Sequence, residues 1–115
     1  MGMSIGDDEL RELARQHPEM AEGMEAGVAY YFIPGLRLPD GCTPDRMDAL
    51  LCPTGRDGYP SRLFLEQAVT CRTARNWNAS NVRILERNWF AVSWMVKTSG
   101  LRLAQLLAAH LEAFR

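Results

Sequence analysis

The residues best suited to chemistry lie in one stretch, 76–94, which holds all three tryptophans and all four asparagines of the chain. Tryptophan brings a large apolar surface and one N–H that needs a partner, so this clustering marks a densely packed region. Asparagine amides compete with backbone hydrogen bonds inside helices and strands. The interleaved pattern therefore predicts a long structured loop pinned by side-chain amides. Packed loops on rigid scaffolds often carry function.

The chain has three cysteines, Cys42, Cys52 and Cys71. An odd number at wide, irregular spacing argues against a disulfide framework. Because they form no Cys-x-x-Cys pair, a zinc site built from them and His110 is disfavoured, and the sequence predicts no metal or cofactor. Cys52 closes an apolar segment and is expected in the core. Cys71 precedes the asparagine-rich stretch and is either a nucleophile or a small buried hydrophobic residue.

Length and composition bound the class of protein. A chain of 115 residues is expected to form a single domain spanning residues 1–115, and 47% hydrophobic with 23% charged residues is typical of a globular protein. It contains no apolar run near the roughly 20 residues of a membrane span and no signal segment. We therefore expect a cytoplasmic protein with no membrane partner.

The net charge of −1 conceals an asymmetry between the two halves. Residues 1–60 carry five basic and eleven acidic side chains, whereas residues 61–115 carry eight basic and three acidic ones. Such a division indicates either a partner attracted by charge or two halves that attract each other. Arginines beside the aromatic residues suggest a stacking surface for single-stranded nucleic acid. No phosphate-binding motif supports that function, so no nucleic-acid partner is predicted.

Hydrophobic spacing and turn residues predict a helix at each end of the chain, with antiparallel strands between them. Pro34-Gly35 is expected to end the first strand, and Thr98 or Ser99 to cap the last helix. Consecutive strands joined by short turns form a meander, here of three or four strands, so the fold class is α+β. The expected elements are a helix from Asp7 interrupted at His17-Pro18, a helical turn Glu19–Glu25, strands Val28–Ile33, Met47–Cys52 and Leu63–Val69, and a helix Leu101–Phe114.

Three motifs, in this order, resemble the ubiquitin-conjugating enzymes. Gly58-Tyr-Pro60 looks like the Tyr-Pro motif of that family, and Ile84-Leu-Glu-Arg-Asn-Trp89 is similar to the Ile-Leu-x-x-x-Trp segment after its catalytic cysteine. The third is the closing helix with its Leu-Leu-rich face. Leu38-Pro-Asp-Gly41 and the Asp45–Leu51 strand look most like the small bacterial branch called prokaryotic family E. The resemblance covers roughly residues 26–115.

The resemblance implies a fold, a pathway and partners. The fold would be that of a minimal ubiquitin-conjugating-enzyme-like domain, and the activity that of a transferase acting in bacterial conjugation of a ubiquitin-like protein, a setting that includes antiviral defence. Members of the branch are encoded beside ubiquitin-like proteins and activating enzymes. The partners implied are therefore a ubiquitin-like protein and the activating enzyme that adenylates it, with the N-terminal helix free to engage the latter.

The resemblance also implies site residues, with one departure. Asn76-Trp77-Asn78 stands where the family has His-Pro-Asn, so Asn78 matches the asparagine that stabilises the oxyanion. The slot of the nucleophilic cysteine falls at Ser80 or Asn81, and neither is a cysteine. The Ser80 hydroxyl could accept the C-terminus of the modifier as an oxyester if a base assists it; otherwise it only forms a turn. Cys71 is the second candidate nucleophile.

Two interpretations remain open at this stage. The leading one is a transferase that takes the modifier from the activating enzyme onto Ser80 and passes it to a target. The alternative is an inactive scaffold of the same fold that binds the ubiquitin-like protein or the activating enzyme. No histidine is close to Ser80 in sequence, so His110 would have to approach it in space. The fold is expected to bring the Tyr59-Pro60 turn against the Trp-rich segment and to place Trp89 and Leu107 on the same side of the molecule.

Overall fold

A computed structural model describes residues 7–56, 58–96 and 100–115. The described residues form an α+β fold, as predicted. One helix precedes the antiparallel strands in the sequence and one follows them. Its elements are α1 (Asp7–Gln16), β1 (Ala21–Glu25), β2 (Val28–Arg37), β3 (Arg46–Cys52), β4 (Arg62–Leu65), β5 (Trp77–Ile84), β6 (Arg87–Val92), α2 (Leu103–Leu111) and a short 3-10 helix (Glu112–Phe114).

The strands of the described residues form one antiparallel sheet of six, in the order β1-β2-β3-β4-β6-β5. Strands β2, β3 and β4 follow the predicted meander, and β1 extends it at one edge. The next neighbour of β4 is β6, joined to it through the pair Leu65 and Phe90, so β5 lies at the edge. The prediction of three or four strands was therefore too low.

The Trp- and Asn-rich stretch is a β-hairpin, so the prediction of a long loop was wrong. Strands β5 and β6 pair from Trp77–Val92 to Ile84–Arg87. Leu85 and Glu86 connect them with φ values of 50° and 66°, the positive values of a two-residue hairpin turn. Pairing between the two strands provides hydrogen-bond partners for backbone groups that side-chain amides were expected to satisfy.

A second hairpin replaces the helical turn predicted over Glu19–Glu25. Strand β1 pairs with β2 in that region, and the turn residues Ala26 and Gly27 have φ values of 53° and 78°. Strand β2 also continues through Pro34-Gly35 to Arg37, because a register shift between Ile33 and Leu36 accommodates the two turn-forming residues. The predicted end of this strand was wrong.

The other element boundaries are close to those expected. Helix α1 ends at Gln16, directly before His17-Pro18, as predicted. The strand expected to reach residue 69 is the exception, since it ends four residues earlier at Leu65. The closing helix begins within two residues of its predicted start. Its expected caps, residues 98 and 99, lie outside the described residues. The backbone N–H of Leu103 instead donates to a carboxylate oxygen of Glu9, 3.1 Å away on α1.

The central strands of the sheet are buried on both faces. In β2 the adjacent residues Tyr30 and Tyr31 point to opposite faces, and both side chains are buried. Both helices pack on the face of Tyr31, in the cluster that includes Leu107. Side chains of the β5–β6 hairpin pack on the other face, where Trp89 and Tyr30 belong to the same core cluster. The expectation that Trp89 and Leu107 share one side was therefore wrong.

The tip of the β5–β6 hairpin reaches across this second face to the far edge of the sheet. The N–H of Leu85 donates to a carboxylate oxygen of Glu25 at 3.0 Å. A Cβ added at Gly23 would lie 2.8 Å from Leu85 Cδ1, so the glycine permits the close approach. The sheet must therefore be strongly curved, with the hairpin folded over β1.

Ion pairs join the acidic first half of the chain to its basic second half. Arg87 lies 3.3 Å from Asp48, and Arg102 lies 3.1 Å from Glu12. Both pairs are partly exposed and so contribute little stability each. They favour the interpretation in which the charge asymmetry serves attraction between the two halves.

Candidate functional site

Asn78 lies at the first of two irregularities in the edge strand β5. The register between Trp77 and Ala79 shifts by one residue, which leaves Asn78 as the extra residue of a bulge. Its side chain is exposed. Bulges redirect side chains and are frequent beside functional sites. The local backbone thus presents the Asn78 amide away from the regular ladder.

The Asn78 amide is fixed by two neighbours, Tyr59 of the predicted turn and Arg62, which the sequence did not indicate. Its Oδ1 accepts a hydrogen bond from the Arg62 guanidinium, and its Nδ2 donates to the Tyr59 hydroxyl at 2.7 Å. The Tyr59 hydroxyl in turn donates to Ser93 Oγ at 3.0 Å. These contacts confirm that the Tyr59-Pro60 turn lies against the Trp-rich segment.

Arg62 is the buried residue that contacts both Asn78 and Tyr59. It is only 3% exposed, its Nη2 donates to the Val92 carbonyl at 3.2 Å, and its guanidinium stacks 4.3 Å from the centre of the Tyr59 ring. The hydrogen bonds of Tyr59 with Ser93 and then Asn78, together with the Arg62 charge, lower the pKa of the Tyr59 hydroxyl. The sequence gives no sign of this burial, since a single arginine beside an apolar run is usually exposed.

Ser80 lies at the second irregularity, between Ala79 and Val82, where β5 again carries an extra residue. The following residue, Asn81, has a φ of 54°, and both Ser80 and Asn81 are exposed. Asn78 and Ser80 are thus displayed close together on one strand. In the described parts of the chain no basic side chain is hydrogen-bonded to the Ser80 hydroxyl, which leaves it without the general base that a serine nucleophile requires.

His110 contacts a different serine. Its Nε2 lies 2.8 Å from Ser61 Oγ, and the two residues are 3% and 0% exposed. Burial, and secondarily the charge of Arg62, lowers the pKa of His110 to about 4. The imidazole is therefore neutral at pH 7 and engaged in a buried pair that connects the start of β4 to α2. His17, the other histidine, lies beside Pro34 in a groove at the end of α1.

Cys71 is hydrogen-bonded to Cys42, with the two Sγ atoms 2.8 Å apart, rather than to Asn78 or Ser80. Burial, and then the contact with Cys42, raises the pKa of the Cys71 thiol to about 12. Since the thiolate is the nucleophile, this environment disfavours catalysis by Cys71. The side chain lines a cavity of about 190 Å³ together with Arg75, Trp77 and Phe114. Cys52 is fully buried, as expected.

The tryptophans act as anchors of the packed region. Trp89 Nε1 donates to the Ile84 carbonyl at 3.0 Å, and Trp94 Nε1 donates to the Ala109 carbonyl at 3.1 Å. The indole N–H groups are thus directed at backbone acceptors inside the fold. This arrangement favours a structural role for Trp89 and Trp94 over a stacking surface for nucleic acid.

In the segments that the structure describes, no group of three or more His, Cys, Asp and Glu side chains is arranged to hold a metal ion. The helices of the same segments are all too short or too polar to cross a membrane.

Comparisons with protein-family models, curated proteins and solved structures give no match to this chain. The chemistry of the site therefore rests on its own geometry. That geometry consists of an exposed Asn78 amide oriented by buried Arg62, and an exposed Ser80 two residues away on the same edge strand.

Proposed function

We propose that this chain is a ubiquitin-conjugating-enzyme-like protein of a bacterial ubiquitin-like modification pathway. Its role would be to bind the ubiquitin-like protein or its activating enzyme without carrying the modifier covalently. Support comes from the motif resemblance, which includes Gly58-Tyr-Pro60 and Ile84–Trp89, and from the α+β order of helix, antiparallel strands and closing helix.

One observation favours binding over transfer: neither candidate nucleophile is activated. Ser80 has no base among its described neighbours, and the raised pKa of Cys71 keeps its thiol protonated. What remains is a polar surface formed by half-buried Tyr59 and exposed Asn78 and Ser80. The buried arginine Arg62 fixes the first two of these side chains. Prearranged amides and hydroxyls of this kind supply hydrogen bonds to a partner at little entropic cost.

A second function, acceptance of the modifier on Ser80 as an oxyester, is favoured by the position of Asn78. An asparagine amide has two N–H groups, and the structure assigns one of them to Tyr59. The other is available to an oxyanion formed on a carbonyl that Ser80 attacks. One such donor typically contributes about 2.7–4 kcal/mol to acyl transfer.

The experiment that separates the two functions uses the ubiquitin-like protein and activating enzyme encoded by the neighbouring genes. The binding function predicts a non-covalent complex by calorimetry, weakened by Asn78→Ala, and no covalent adduct after incubation with ATP. Absence of such genes, or of any binding, would refute both functions.

The oxyester function predicts an adduct that survives thiol reductants but is cleaved by hydroxylamine. Ser80→Ala should abolish it, and Ser80→Cys should convert it into a thioester sensitive to reductants. Cys71→Ala is the matched control, because an adduct lost only in that variant would assign the nucleophile to Cys71.

A further inference from the structure

A short antiparallel bridge joins the loop after β2 to the segment after β4. The N–H of Thr43 donates to the Thr70 carbonyl at 2.7 Å, and the N–H of Thr70 donates to the Thr43 carbonyl at 3.1 Å. In an antiparallel ladder the pair next to such a hydrogen-bonded pair is non-hydrogen-bonded, and its side chains are closer together. The residues in that neighbouring pair are Cys42 and Cys71.

The geometry of this pair suits a covalent link. Facing residues in a non-hydrogen-bonded pair have Cα atoms about 4.5 Å apart, which is within the range that disulfides span. The Sγ atoms of Cys42 and Cys71 lie 2.8 Å apart, and both cysteines are free. The backbone thus already holds the two thiols face to face, so a bond between them requires little movement of the chain.

The two thiols differ in access to solvent. Cys42 is 6% exposed, whereas Cys71 is half-buried and lines the open cavity of about 190 Å³ beside Thr73 and Arg75. A small oxidant therefore reaches Cys71 first. Cys52 is fully buried in the other core cluster, on the opposite face of the sheet.

We propose that Cys42 and Cys71 form a reversible intramolecular disulfide that ties the loop after β2 to the segment leading into β5. With glutathione disulfide as oxidant, the Cys71 thiolate attacks one glutathione sulfur, and one glutathione thiolate leaves. The Cys42 thiolate then attacks the Cys71 sulfur of this mixed disulfide, and the second glutathione leaves. The two protein thiols lose two electrons and two protons, and both are recovered in two molecules of reduced glutathione.

The disulfide has a mechanical consequence. It joins residues 29 positions apart and so restricts the unfolded chain, which raises the melting temperature, by roughly 5–15 °C for a loop and a domain of this size. It also anchors the start of the segment 71–76, which leads directly to Asn78. Because the Cys71 pKa is raised, the thiolate fraction is small and the reaction is slow at neutral pH.

The test incubates the full chain with glutathione disulfide under native conditions and then alkylates the remaining thiols. Before alkylation we expect a single product lighter than the reduced chain by two hydrogens. After alkylation in denaturant, which exposes buried Cys52, we expect one alkylated cysteine at position 52 and a peptide containing residues 42 and 71 linked together. Its melting temperature should exceed that of the chain treated with dithiothreitol, and the reductant should reverse the difference.

Two variants provide controls. Cys52→Ala should still form the link, and Cys71→Ser, altered at a half-buried position, should fold but show the same melting temperature in oxidant and reductant. If Cys52→Ala does not fold, peptide mapping of the unmodified sequence decides the question. Glutathione retained on Cys71, a dimer linked through Cys71, a link that includes Cys52, or three free thiols after prolonged oxidation would each overturn the proposal.

Discussion

The buried pair of His110 and Ser61 should make the stability of the protein depend on pH in a defined range. The pKa of His110 falls from 6.5 to about 4 in the folded chain. At about 1.4 kcal/mol for each pH unit, this difference corresponds to about 3 kcal/mol. Since the side chain is only 3% exposed, solvent screening reduces that value little.

The sign follows from proton binding. Between pH 6.5 and about pH 4 the unfolded chain binds a proton at His110 that the folded chain does not bind. The free energy of unfolding must therefore fall as the pH is lowered through this range, and the contribution is fully present above pH 6.5. Carboxylates titrate in the same range, so the effect of His110 must be isolated by a variant.

The assay compares urea unfolding, followed by tryptophan fluorescence, of the native sequence and His110→Gln at about pH 7.5 and about pH 4.5. The native sequence should lose about 2–3 kcal/mol more than the variant over this interval. His17→Gln is the matched control, since His17 is half-buried and is not part of the pair formed by His110 and Ser61. This variant should retain most of the pH dependence of the free energy of unfolding. Equal dependence in native chain and His110→Gln, or an imidazole NMR titration of His110 near 6.5, would refute the reasoning.

Three further predictions concern the helices and the hairpin turn. Glu9→Ala should lower the free energy of unfolding by about 1 kcal/mol in urea titrations, because the N–H of Leu103 loses its acceptor at the start of α2; an unchanged midpoint would contradict this role. Glu86→Gly should raise the free energy of unfolding by about 0.5–1 kcal/mol, because glycine adopts the φ of 66° without steric cost. A lower melting temperature of this variant would argue against a strained turn. Charge reversal at Asp7 and Asp8, both exposed on α1, should weaken calorimetric binding of the activating enzyme and lower the melting temperature only slightly, because Asp8 loses its exposed ion pair with Arg11 and the first turn of the helix loses its negative charge; unaltered affinity would exclude this face.

The contacts of the proposed site could be predicted only in part. The Tyr59-Pro60 turn was expected to lie against the Trp-rich segment, and it does, through a hydrogen bond of 2.7 Å from Asn78 to the Tyr59 hydroxyl. Arg62 was not expected there, because an isolated arginine in a sequence gives no indication that its charge will be buried. Nor could the spacing of Cys42 and Cys71 reveal that a two-residue bridge places them face to face.

The sequence by itself determined the elements that depend on local patterns. The helix ending before His17-Pro18, the closing helix around Leu107 and the apolar strands near Leu50 follow from periodicity and from the conformational limits of proline. These signals act within a few residues, so no knowledge of the partners is needed to read them.

Tertiary structure alone decided the conformation of the stretch 76–94 and the position of its side chains. Its asparagines suggested a loop, but pairing between β5 and β6, and burial of Trp89 and Ile84 against the second face of the sheet, stabilise strands there. Strand propensity depends on what lies across and beneath each residue, and that information comes from distant parts of the chain. For the same reason the partner of His110 is Ser61, 49 residues away, rather than the serine that the sequence suggested.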